Sequence, residues 1–300
     1  MAIPIRAPDG ATLSAFVLAV WIGAANFVAV RVSNQELEPF WGAGMRFALA
    51  ALLFVLIALW LRLPWPRGRV LALTTLYGAL GFALSYALMY WALVRVTAGV
   101  ATIVMAAVPL VTLLLAVAQR LERLTVRAVG GSLLALAGIT WMARGPQQVE
   151  VPLDALMAMG AATVAIGLSI ILGKRLSTNH PAMTNAVGMT AGALLLLAFS
   201  AATRERWAMP TQPSVVWAVA YLVIVGSVGL FVLVLLVMRR WTASASSYMF
   251  VLFPVATLAL GAWLVDEPVT GQAVTGAALV MIGAWLGAFS TRRPALATTS

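Results

Sequence analysis

No cysteine occurs among the 300 residues of this chain. Disulfides and thiolate metal sites are therefore excluded, and thiol content says nothing of redox compartment. Histidine is represented by His180 alone, and Asp and Glu together number nine. Charged residues make up 9% of the chain, against roughly 25% in an ordinary globular protein. That is too little charge to clothe a soluble domain of this size. Disorder is excluded as well, because 63% of the residues are apolar and 9% aromatic. There is no G-x-x-x-x-G-K-[ST] sequence, so this chain does not itself draw on ATP. Neither H-E-x-x-H nor G-x-S-x-G is present, so no cofactor or metal is expected. The scarcity of acids leaves a net charge of +10. In a soluble protein that would suggest nucleic acid. Here the basic residues are scattered between long apolar runs without forming a patch. A lipid bilayer is the expected partner, and nucleic acid is not.

What the sequence has in abundance is apolar runs long enough to span a membrane, about 20 residues each. Ten are found: Thr12–Val30, Pro39–Leu61, Val70–Leu93, Ala98–Ala118, Val126–Ala143, Asp154–Lys174, Pro181–Ala202, Ser214–Met238, Ala243–Leu264 and Thr270–Phe289. The expected fold is an all-α polytopic membrane protein of ten transmembrane helices. The first run is read as a span and not as a signal peptide, because nine more follow it.

Basic residues on alternate connections set the orientation. Arg31, Arg95, Arg144, Arg204 and Arg206 fall on one side, thirteen Lys and Arg fall on the other, and Arg46 lies within the second span. This places both termini in the cytoplasm of an inner-membrane protein. Tryptophan favours membrane interfaces, and eight of the eleven lie near expected span ends. Trp65 and Trp207 fall in connections, and Trp21 alone falls near a span midpoint.

An internal repeat is the strongest signal. An offset of 145 carries Gly81 to Gly226, Ala98 to Ala243, Pro109 to Pro254, Glu122 to Glu267, Gly131 to Gly276 and Gly138 to Gly283. Upstream the offset drifts to 142, carrying Pro39 to Pro181. Residues 1–148 and 149–300 are thus read as two five-helix repeats. Five spans per copy means that the second enters the membrane inverted, a recurring plan of secondary transporters whose substrate site lies between the repeats.

The run Ala98–Gly99–Val100–Ala101 through Pro109, then Leu121–Glu122–Arg123, Gly130–Gly131 and Gly138–Ile139, resembles the repeat signature of EamA-type proteins. The second copy is Ala243–Ser244–Ala245 through Pro254, Asp266–Glu267–Pro268, Gly276 and Gly283. Asn26–Arg31 at the end of the first span, and Pro39 with Arg46 in the second, are similar to that family too. The resemblance covers almost the whole chain and is to the drug/metabolite transporter superfamily. It implies a ten-span exporter of small metabolites, with amino-acid exporters, including those for aromatic residues, as the nearest analogy.

Within the spans, Pro109 and Pro254 each remove an N–H and free the carbonyl four residues earlier, at Met105 and Phe250. A kink for packing is the first reading and a hinge the second, and the symmetric recurrence adds weight to the hinge. No acid lies near a span centre, which argues against a proton relay or a cation site of the usual kind. Flux would then be facilitated. Glu122 and Glu267 are read as capping or loop-pairing residues. Arg46 sits seven residues after Pro39 and either snorkels, bonds helix-end carbonyls or attracts a substrate carboxylate. Tyr77, Gly81 and Ser85 form a polar face beside Phe82 and Tyr86, and Tyr86 maps onto Phe231. Trp21 and Asn26, Thr102, Thr163 and Ser169, and Ser244 and Tyr248 add polar groups on other spans.

The substrate-binding set expected is Trp21, Arg46, Tyr77, Ser85, Tyr86, Thr102, Ser244 and Tyr248. The small-molecule substrate expected is a neutral or zwitterionic metabolite, foremost an amino acid. Sugars, nucleosides and amines are the alternatives within transport. A membrane enzyme, a non-transporting scaffold and a channel are the alternatives outside it. Gly283 and Gly287 form a G-x-x-x-G pair that packs helices within a monomer, with a homodimer as the other use.

Overall fold

The computed structural model describes residues 10–95, 101, 104–142, 152–264 and 270–289. Among them, seven helices are long and apolar enough to cross a membrane, and three shorter apolar helices bring the set to ten. No strand occurs among the described residues. The first half runs α1 (Gly10–Ser33), α2 (Pro39–Trp60), α3 (Gly68–Leu93), α4 (Val108–Ala118) and α5 (Val126–Met142). The second runs α6 (Leu153–Arg175), α7 (Pro181–Ala202), α8 (Pro213–Arg240), α9 (Met249–Leu264) and α10 (Gly271–Phe289). A one-turn helix, Ala243–Ser247, precedes α9.

The helix ends follow from local chemistry. Pro39, Pro181 and Pro213 open α2, α7 and α8, where a missing N–H costs nothing and a fixed φ fits the first turn. Arg62, Arg120 and Arg204 terminate α2, α4 and α7 with φ of 50°, 58° and 56°. Each belongs to a closing motif in which the next residue's N–H reaches a carbonyl five residues back: Leu63 to Ala58, Leu121 to Ala116 and Glu205 to Ser200. An arginine in this place also sets a cation against the negative end of the helix dipole.

The two halves correspond in detail. α3 contains a π turn at Ala79–Leu84 and α8 one at Ile224–Gly229, displaced by 145 residues at both ends. Arg62 and Arg204 are displaced by 142. Packing follows the same exchange: α1 lies on α8 and α9 of the other half, and α6 lies on α3 and α4. The closest pairs are α2 with α7 and α5 with α10, each matching one half to the other. Glycines let backbones meet there and at α3–α7. A Cβ on Gly78 would stand 2.0 Å from the Gly188 carbonyl oxygen, and one on Gly131 would stand 2.6 Å from that of Gly283. The Gly283–Gly287 face is thus packed by α5 and Tyr248 of the same chain.

Carboxylates tie the halves at the end with fewer basic residues. Glu36 accepts from the backbone N–H of Thr211 at 2.8 Å, from its hydroxyl at 2.7 Å, and from the N–H of Gln212, immediately before α8. Glu205 accepts from the N–H groups of Phe40 and Trp41 at 3.1 and 2.7 Å, in the first turn of α2. These are N–H groups that helices leave without an internal partner. Trp41 and Trp207 stack beside them, 5.0 Å apart.

At the basic end, Lys174 donates to the carbonyls of Met238 and Trp241, 2.7 and 2.6 Å away. Glu122 accepts from the N–H of Ser244 at 3.1 Å and from its hydroxyl, the capping role expected from its position.

Candidate functional site

A cavity of about 90 Å³, lined by residues of both halves, lies between them. Its wall draws on α1, α2, α3, α6, α8, α9, the short helix before α9, and Met105. Periodicity explains which residues reach it. Gly23, Asn26, Phe27 and Val30 form one stripe of α1 at helical spacing. Tyr77, Gly81, Ser85 and Met89 form one stripe of α3, with Tyr86 beside it.

The wall is largely apolar, with Phe27, Tyr86, Phe231, Phe250 and Phe253 as its rings and Met89, Met105, Met238 and Met249 as its adaptable parts. Tyr86 stands edge-on to Phe47 at 4.7 Å, and Phe82 edge-on to Phe231 at 4.8 Å, the arrangement favoured by ring quadrupoles.

Arg46 is the polar centre of this wall. Its side chain is 1% exposed. Nε donates to the Ser227 hydroxyl at 2.8 Å, Nη2 to the Gly226 carbonyl at 2.9 Å, and Nη1 to the Tyr90 hydroxyl at 3.3 Å. The guanidinium also lies over the rings of Phe47 and Tyr86, at 5.1 and 5.4 Å. Among the described residues, no carboxylate lines the cavity. A buried cation held only by neutral groups is costly, and an opposite charge relieves that cost.

The π turn explains why a backbone carbonyl is available to Arg46. A π segment breaks the regular i to i−4 ladder and commonly marks functional sites. Gly226 lies within the π turn of α8, and its oxygen accepts from both Arg46 and the Asn26 amide, the latter at 3.1 Å. In the other half the Gly81 oxygen accepts from the Ser85 hydroxyl at 2.6 Å. The helices crossing these two glycines bring Asn26 and Ser169: a Cβ on Gly226 would meet Asn26 Oδ1, and one on Gly81 would meet Ser169 Oγ, both at 2.2 Å. Glycine thus makes room for the same crossing at both positions.

Of the residues singled out from sequence, Arg46, Tyr77, Ser85 and Tyr86 come together in the cavity. Trp21 does not. It is 42% exposed and lines an outer groove with Val17, Val20 and Leu252. The reason is helical phase: Trp21 precedes Gly23 by two residues, about 200° around α1. Tyr248 also points elsewhere. Its hydroxyl pairs with Ser132 at 2.8 Å and with the Ala128 carbonyl at 3.1 Å, packed against Gly287. Ser244 is held by Glu122 and does not line the cavity. Thr102 lies outside the described residues.

Pro109 falls in the first turn of α4, just after a break at Ala106–Ala107. Pro254 lies inside α9, and the break in that span comes earlier, at Tyr248. Met105 and Phe250 both line the cavity. Sequence reasoning named Gly226 only as the repeat partner of Gly81 and Met105 only for its carbonyl, and it passed over Ser227, Met89, Met238 and Met249. Gly226 was within reach, because the repeat offset leads to it from Gly81.

Comparison with known proteins agrees with this architecture. The model of the EamA-like transporter family matches twice, over residues 11–144 and 154–288. A protein of Streptantibioticus cattleyicolor named a probable terminal-alkyne amino-acid exporter is 28% identical, covering 91% of this chain and 91% of its own. The uncharacterized inner membrane transporter YedA of Escherichia coli strain K12 is 29% identical, covering 90% of each chain. One crystal structure superposes with a TM-score of 0.76 at 20% identity, covering 93% of this chain and 96% of that one.

Proposed function

The chain belongs to the EamA-like transporter family, and from that premise we propose that it exports amino acids and metabolites of like size, aromatic ones included, across the inner membrane by alternating access. It is a multi-pass membrane transporter by family and by its apolar helices. The finer reading rests on one observation: a buried arginine in an aromatic cavity, with no counter-ion among the described residues. Arg46 receives the substrate carboxylate, and the rings of Tyr86, Phe231, Phe250 and Phe253 receive its apolar body. Tyr77, Ser85 and Asn26 offer further polar contacts at the wall. A relative named as an amino-acid exporter supports this class of cargo.

The same reading takes residues 1–148 and 149–300 as inverted repeats with both termini cytoplasmic, rocking about the cavity. Pro109 and Pro254 serve as hinges near it. The cycle involves no catalysis, and a monomer suffices for it.

Reconstitution in liposomes loaded with amino acids, nucleosides, sugars and quaternary amines tests the proposal. Amino-acid flux that is lost in Arg46→Gln at unchanged protein yield is the expected result. Flux of sugars or amines alone, or amino-acid flux unchanged in that variant, refutes it.

A further inference from the structure

The charge of the cavity carries the assignment one step further, on the footing that Arg46 receives a carboxylate. All nine acidic residues lie outside the span centres, and the lone histidine, His180, caps α7 by accepting from the Ala182 N–H. The loaded cavity therefore takes its net charge from Arg46 and the cargo alone. A monocarboxylate anion brings that sum to zero. A zwitterion leaves it at +1 and adds an ammonium group that must be desolvated.

Among the buried side chains of the wall, Asn26 Oδ1 stands without a partner and takes one of an ammonium's three donors, with no carboxylate for the others among the described residues. The Gly226 carbonyl already accepts twice. The Ser85 hydroxyl donates to the Gly81 carbonyl, and the Ser227 hydroxyl donates to that of Leu222 while accepting from Arg46, so what remains for an ammonium there is neutral hydroxyl oxygen. A desolvated ion without full pairing is disfavoured. The apolar remainder of the wall suits an uncharged body.

We propose that the cavity carries amphipathic monocarboxylate anions, such as arylalkanoates and 2-oxo acids, ahead of the amino acids of the same body. Their export is electrogenic. Arg46 stays with the protein, so each cycle moves one negative charge outward. An inside-negative membrane potential then drives export without any proton relay. It supports an outward concentration ratio of about 50-fold per 100 mV, the equivalent of about 2.3 kcal/mol per elementary charge.

The test uses the full chain in liposomes, with phenylpyruvate and phenylalanine as probes at pH 7.5, a potassium diffusion potential imposed by valinomycin, and protein-free vesicles as the blank. Phenylpyruvate efflux should accelerate when the interior is negative, and its equilibrium ratio should shift towards about 50-fold per 100 mV. Phenylalanine flux should ignore the potential, and phenylpyruvate should compete for it more strongly than phenylalanine competes in return. Arg46→Gln should abolish phenylpyruvate flux, whereas Arg46→Lys, which keeps the charge and loses the planar fork, should retain the potential dependence at weakened affinity. Phenylpyruvate flux that is indifferent to the potential overturns the proposal. So does phenylalanine flux with phenylpyruvate excluded, which leaves the amino-acid reading standing. Flux of neither probe removes both.

Discussion

Replacing Arg46 with methionine separates a transport role from a folding role. The side chain makes three hydrogen bonds. Its partners do not all lose their satisfaction with it. The Gly226 oxygen keeps the Asn26 amide at 3.1 Å, and the Ser227 hydroxyl still donates to the Leu222 carbonyl at 2.8 Å. The Tyr90 hydroxyl is left without its guanidinium partner, at a cost of about 1–3 kcal/mol. Against this stands relief of the desolvation of a buried ion, several kcal/mol in its own right. Methionine is apolar and flexible enough to fill much of the space. The balance predicts a fold as stable as the parent, or more stable by about 1–4 kcal/mol. Transport behaves differently. Loss of one partner from a buried charge pair with the cargo carboxylate costs about 2–5 kcal/mol, roughly 30- to several-thousand-fold in affinity. The assay pairs detergent melting curves with substrate flux in liposomes. An R46M protein that unfolds with its flux would refute the reasoning and make Arg46 a structural residue.

Gly78→Ala drives a Cβ to within 2.0 Å of backbone at Gly188 and should cost about 1–3 kcal/mol or more, whereas Gly160→Ala, with nothing within 4 Å, should match or exceed the parent in the same melting assay. The Glu36 carboxylate is held below its ordinary pKa by the Thr211 hydroxyl and N–H and by Gln212. A depressed folded pKa contributes stability above the ordinary glutamate range, near pH 4, that is lost as pH falls through the depressed value. Glu36→Gln should therefore flatten the acid limb of a melting-temperature profile; an unchanged limb counts against the tie. Trp21→Ala should leave substrate affinity intact, because the ring faces the outer groove, and Tyr248→Phe should reduce melting temperature by losing about 1 kcal/mol of hydrogen bonding. A transport defect in the first, at normal yield, would return Trp21 to the site. Pro254→Ala restores a donor opposite the Phe250 carbonyl and should slow flux at constant yield; normal flux in the Pro109→Ala, Pro254→Ala double variant would make both prolines packing features.

The helices, their count and the correspondence of the halves were legible because bilayer thickness and apolar run length constrain each other. The site was legible in part. Arg46 stood out because a cation inside an apolar run has few ordinary explanations. Tyr77 and Ser85 followed from helical spacing on a single span. Trp21 and Tyr248 misled for one shared reason: depth along a helix can be counted from sequence, but the direction around it is set by which neighbour packs there. α1 turns its Gly23–Asn26–Phe27–Val30 stripe inward because glycine admits the Phe253 ring, whose atoms would lie 2.4 Å from an added Cβ. Nothing local to α1 announces that contact with α9. The π turns are likewise silent in composition and emerge only where Asn26 and Ser169 cross the glycines of the opposite half.

The carboxylate ties between Glu36 and the start of α8, and between Glu205 and the start of α2, bear on how the protein is made. Synthesis delivers α2 to the membrane well before residue 205 leaves the ribosome, so the Phe40 and Trp41 N–H groups first rely on interfacial water. Glu36 waits in the same way for Thr211 and Gln212. The first half thus enters the bilayer with an unfinished start of α2 that the second half completes, whereas Glu36 is already in place when α8 arrives. Docking of the halves is a late event in biogenesis, and a truncated first half would present uncapped ends to quality control.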